Sequence, residues 1–188
     1  ANIEIMTDIV AANPKLRKID GNGHSISGSG KLIFEAQTQP ITPEFQDVNF
    51  VVDFDATGFG STNPISFIGN VTTNVCKLDA NDLTLFADKP NDTTNWNLND
   101  DAALGGALTI AQDGEGKTRI NANGHELNNN AKTTITTELN AQPTTGYDLI
   151  VDNAVFTDDV DLQNSQLART SANVTLQGCS FDADAGNI

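Results

Sequence analysis

Ile19-Asp20-Gly21-Asn22-Gly23-His24-Ser25-Ile26 returns later in the chain as Ile120-Asn121-Ala122-Asn123-Gly124-His125-Glu126-Leu127. From His24 to His125 the offset is 101 residues. In both copies an apolar residue leads into small turn formers, and a second apolar or acidic–apolar step follows the histidine. A phrase repeated in that order predicts stacked units rather than a closed globule, because each unit shelters the apolar face of the next.

Outward from these phrases the order of landmarks is kept. Asn2–Ile9 alternates apolar and polar residues as a half-buried strand does. Lys31–Glu35 corresponds to Thr133–Thr137, Gln39-Pro40 to Gln142-Pro143, Phe45–Phe50 to Val151–Phe156, and Asn74–Leu78 to Asn173–Leu176. The expectation is one domain over 1–188 with two tandem internal repeats, roughly 1–95 and 96–188. A shorter unit recurs inside each half: Asp47-Val48-Asn49-Phe50, Ala80–Leu85, Asp152–Phe156 and Gly178-Cys179-Ser180-Phe181. Short strands punctuated by Asn, Asp and Gly every two dozen residues or so suit a coil of parallel strands. The alternative is a β-sandwich. Sandwich hairpins place Asn-Gly or Asp-Gly between alternating strands, whereas here both dipeptides lie inside the repeated phrases, which favours the coil.

Composition agrees. Aromatics are 6% of the 188 residues and Met and Trp occur once each, so the core is expected from Ile, Leu, Val and the nine Phe. A formal charge of −15 repels phosphate backbones and anionic bilayers, which excludes nucleic acid as a partner. Neither a membrane-spanning run nor a basic, apolar leader at Ala1 is visible, so the chain reads as a mature or excised piece of a longer protein.

The Ile19–Ile26 phrase and the Asp47–Phe50 and Gly178–Phe181 units resemble rungs of right-handed parallel β-helix proteins, especially large extracellular adhesin-like proteins of bacteria and archaea. The resemblance implies an all-β solenoid and an extracellular or cell-surface location. It also extends to polysaccharide lyases and tailspikes, so it implies a fold more firmly than a task.

Candidate chemistry is sparse. His24 and His125 occupy matching places in the repeated phrase, where a turn-capping role is expected over catalysis or metal binding. Cys76 and Cys179 stand 103 residues apart. With about 4.8 Å per rung they are too distant for a disulfide, so both are expected reduced and buried. Asp158, Asp159 and Asp161 form the one tight acidic cluster. They are the catalytic candidates if the chain is an enzyme, and otherwise a solvated turn or a weak Ca²⁺ site. The Gly-His-Gly and Arg-x-Lys phrases of polygalacturonase-like enzymes are absent, since Arg169 precedes Thr170 and Ser171. Asp20–Gly23 and Asp113–Gly116 read as turns.

The functional expectation is a non-enzymatic surface module, adhesin-like, presenting an elongated acidic face to glycans or to host and matrix proteins. A polysaccharide lyase or glycoside hydrolase working in a β-helix groove, and a filament subunit associating end to end, are the alternatives. Neither a resident cofactor nor membrane insertion is expected.

Overall fold

The structure is a computed structural model. It describes residues 1–11, 17–35, 43–59, 65–78, 82–87, 89, 91–104, 108–114, 116–127, 133–137, 148–157, 160–164 and 173–181. Gln39-Pro40, Gln142-Pro143, Asp158, Asp159 and Arg169 lie outside the described residues.

Strands fall into three ladders, and every pairing between described strands is parallel. The second ladder begins with β1 (Ile3–Ile5) and the third with β2 (Ile9–Ala11). The first contains the opening half of β3 (Lys18–Gly28), whose closing half turns into the second ladder; β4 (Leu32–Phe34) then joins the third. The next coil repeats this with β5 (Glu44–Val51) and β6 (Phe54–Asp55), followed by a short 3₁₀ turn at Thr57–Phe59. From here each ladder has its own strand. β7 (Ile65–Ile68), β8 (Asn70–Thr73) and β9 (Cys76–Leu78) make one coil, and β10 (Asp82–Ala87), β11 (Thr93–Leu98) and β12 (Ala102–Leu104) the next. β13 (Leu108–Gly114) and β14 (Lys117–Asn121) follow, closed by the bridge of Leu127 to Ala102. β15 (Thr133–Thr137), β16 (Asp148–Asp152) and β17 (Val155–Phe156), then β18 (Val160–Asn164), β19 (Asn173–Gln177) and β20 (Ser180–Phe181), complete the stack. This is the expected β-solenoid and not a sandwich.

The core runs up the middle. Phe34, Phe45, Phe50, Phe54 and Phe67 are all essentially inaccessible. Phe54 lies with its ring centroid 4.8 Å from Phe50 and 5.2 Å from both Phe34 and Phe45. Edge-to-face rings of this kind add to the burial of apolar area. Trp96 packs on Phe67 at 5.5 Å, and its buried indole N–H donates to Thr73 Oγ1 at 3.0 Å, so no polar group is stranded by the largest core side chain.

The register revises the meaning of the twin phrases. Trp96 pairs with Val71 on one side and Ile120 on the other, spacings of 25 and 24 residues. Ile3 pairs with Ile26 and Phe50 with Thr73, 23 apart in each case, whereas Ile120 and Val151 are 31 apart. Carried through the ladder from His24 via Val48, Val71 and Trp96, the residue four coils on is Ile120, not His125. The two histidines therefore do not occupy equivalent places. The phrase encodes a corner. Asn22 and Gly23 take positive φ (46° and 76°) where the first ladder turns into the second. Asn123 and Gly124 do the same (55° and 88°) where the second turns into the third.

Each corner then repeats its chemistry up the stack. Above Asn22-Gly23 come Asp47 (φ 46°) and Gly69 (φ 69°). Above Asn123-Gly124 come Asn153 (φ 51°) and Gly178 (φ 63°). Asn and Asp tolerate the left-handed region because their short side chains bond locally, and Gly has no Cβ to clash. A methyl group on Gly69 would strike the Asp47 carboxylate, and one on Gly178 the Asn153 amide. Both halves thus spell one corner motif, displaced by one side of the coil.

Candidate functional site

Strand geometry sends alternate side chains outward, and on the second ladder the outward column is a run of uncharged polar groups. Ser25, Asn49, Thr72, Asn97 and Asn121 are half-buried and stacked in register. Asn121 Nδ2 donates to Asn97 Oδ1 at 2.6 Å, and Asn49 Nδ2 to Ser25 Oγ at 3.2 Å. A parallel column carries Asn95 Nδ2 donating to Asn70 Oδ1 at 2.8 Å. An amide has both donors and an acceptor, so a rung can bond its neighbour and keep further groups, although Asn49 Oδ1 is buried without a hydrogen-bond partner. Next in register after Asn121, and before Gln177, Asp152, 8% exposed, meets Arg119, with Nε 2.7 Å from Oδ2 as an ion pair rather than an aligned hydrogen bond.

Carboxylates and amides also staple successive coils through the backbone. Asn2 Oδ1 accepts from Ser25 N–H, Asp8 Oδ1 from Lys31 N–H, Asp47 Oδ1 from Asn70 N–H and Asp101 Oδ1 from Glu126 N–H, at 2.9–3.2 Å. Charge-assisted bonds to backbone N–H are among the stronger ones available to an exposed acid. Part of the large negative charge therefore has a structural role at the corners.

Two grooves flank the amide columns. One, of about 480 Å³, follows the first corner past Asp47, Gly69, Asp92 and Thr94. The other, of about 450 Å³, follows the second corner past Asn123, Asn153, Gly178 and Ser180. A smaller recess of about 240 Å³ opens at the first coil between Ile3, Ile26, Val48 and His24. His24 is thus exposed at the mouth of the core rather than serving as a turn cap, because its inward register position has only the first coil below it.

His125 has a different setting. Its Nδ1 lies 3.4 Å from Asp101 Oδ1, and Asp100 brings a second carboxylate, the three ligand atoms falling within 4.8 Å of one another. Asp101 Oδ1 is already engaged by Glu126 N–H, and both aspartates are exposed. Three donors including a nitrogen do not match Ca²⁺, which takes about six to eight oxygens. This juxtaposition was hidden by the 101-residue offset. The one-coil spacing of 24–25 residues, from Asp100 and Asp101 to His125, is the signal that reveals it, as it does the Asn70–Asn95 and Asn97–Asn121 pairs.

Of the predicted acidic cluster, Asp158 and Asp159 lie outside the described residues, and Asp161 falls in β18 in register with Thr134. Asp113 and Gly114, expected in a turn, end β13 instead, and Gly116 N–H, before β14, bonds to Ala87 O of the neighbouring coil. Both cysteines are free. Cys76 is buried, and burial pushes its thiol up to about 12 from 9.0. Cys179 is half-buried, not buried as expected: it follows the left-handed Gly178, and its Sγ–H reaches Val151 O at 3.4 Å. No helix among the described residues is long and apolar enough to cross a membrane.

Compared with known proteins, the chain matches no family model, no curated protein and no solved structure.

Proposed function

We propose that this chain is a non-enzymatic, adhesin-like binding module of the cell surface or extracellular space, which holds an extended neutral glycan along its second ladder. The observation that carries this reading is the uncharged outward column from Ser25 to Asn121, in which Asn49 bonds Ser25 and Asn121 bonds Asn97. Hydroxyl-rich ligands are recognised by fixed donors and acceptors on a rigid frame, and a parallel β-stack supplies such groups about every 4.8 Å. The groove past Asp47, Gly69 and Thr94 gives the column a margin along its first corner. The charge of −15 disfavours acidic polysaccharides, so the ligand class is neutral.

Affinity electrophoresis in gels containing neutral or acidic polysaccharides tests this. Retardation by a neutral polysaccharide, reduced in an Asn97→Ala/Asn121→Ala double variant that melts normally, is the expected outcome. Absence of retardation by every neutral polysaccharide would overturn it. New reducing ends or unsaturated products on incubation would replace it with a polysaccharide-degrading enzyme, and end-to-end fibres under the electron microscope with a filament subunit.

A further inference from the structure

We propose that Asn22 is a site of spontaneous covalent modification, converting to aspartate and isoaspartate in the folded protein, while Asn123 in the same dipeptide is shielded. Asn22-Gly23 and Asn123-Gly124 are the two Asn-Gly pairs of the sequence. Both asparagines are exposed and both have left-handed backbones, so sequence, solvent access and local conformation are closely matched. Their hydrogen bonds differ. Asn123 Nδ2 donates to Leu98 O at 2.8 Å, and Gly124 N–H donates to Asn153 O at 2.7 Å. Among the described residues no hydrogen bond holds the Asn22 side-chain amide; only its backbone N–H is engaged, by Asp20 Oδ1 at 3.0 Å.

In the reaction the backbone nitrogen of the glycine attacks Cγ of the preceding asparagine. A C–N bond forms, the Cγ–Nδ2 bond breaks, and the glycine's proton leaves with the departing ammonia. Water then opens the cyclic imide at either carbonyl, giving aspartate or isoaspartate. A glycine invites this because no Cβ obstructs the approach, and a Cβ on Gly23 would meet nothing within 4 Å. At Asn123 the leaving amide has a hydrogen bond to lose before the imide can close. At Asn22 the leaving amide has none. The product puts a new carboxylate beside Asp20, and isoaspartate lengthens the main chain at the bulge where the β3–β5 register shifts between Asp20 and His24.

The test is a timed incubation of the native protein at mildly alkaline pH, with peptide mapping by mass spectrometry and isoaspartate counted by enzymatic methyl transfer. The same chain in concentrated urea is the reference, where both sites react as open chain. Asn22 is expected to react in the native state at a rate close to its urea rate. Asn123 is expected to lag by on the order of tenfold, which corresponds to about 1.4 kcal/mol of added barrier. Asn22→Gln should remove the isoaspartate signal from the first peptide. Equal native rates at the two sites, a faster Asn123, or an Asn22 as slow as Asn123 would each overturn the proposal.

Discussion

Two stretches of the solenoid keep one outline with different filling. From Phe34 to Phe67 the interior is a cluster of edge-to-face and tilted rings; from Ile120 to Val151 it is Ile, Ala, Leu and Val. Between them the Trp96 coil shows how both are accommodated. Its inward neighbour on the third ladder is Ala102, in the column that carries Phe54 and then Cys76 below. In this coil the large Trp96 is accompanied by the small Ala102.

The sharpest way to break this comparison is truncation in each stretch. Phe54→Ala should cost about 3–5 kcal/mol in urea denaturation, and Val151→Ala about 1.5–3. Equal losses would mean that the ring cluster packs no better than the aliphatic coils. Alkaline pH sharpens it at Cys76, the small residue between the two. With a folded pKa near 12 against 9.0, the unfolded chain releases its proton first as pH rises. Stability should therefore be intact below pH about 9 and fall progressively between about 9 and 12. A Cys76→Ala variant should lack that part of the slope, and thiol reagents at neutral pH should label Cys179 but reach Cys76 only on unfolding.

Thr73→Val examines the junction. It orphans the buried Trp96 N–H and should cost about 1–3 kcal/mol. It also removes the bond that lowers the Cys76 pKa, so that thiol should move further up. The smallest effect belongs to the surface. Asp101→Ala removes the contact with His125 Nδ1, an ion pair only while the imidazole is protonated, and the staple to Glu126 N–H. The ion-pair share, between partly exposed groups, should be under about 1 kcal/mol and should fade with salt. A salt-independent loss would assign the effect to the staple.

Much of this was legible in the chain. Alternation in Asn2–Ile9 and in the Phe45–Phe50 unit marked half-buried strands, and Asn, Asp and Gly at regular intervals marked turns. The repeated Asn-Gly-His phrase was rightly tied to stacking, but its 101-residue offset suggested equivalence where the ladders place two different corners. A corner motif reports a left-handed backbone and nothing about which side of the coil it turns. His24 and His125 looked alike for that reason, and only one of them meets Asp100 and Asp101.

By itself, then, the sequence determined that strands would be short, parallel and stacked, and where the backbone would turn left-handed, because φ preferences and apolar alternation act within a few residues. Tertiary structure alone decided which corner each turn serves, which amides join into ladders and which large residue faces which small one. Those depend on the register between coils 18–31 residues apart. That register is set by how apolar side chains of neighbouring coils fit together, a non-local condition that no single phrase contains.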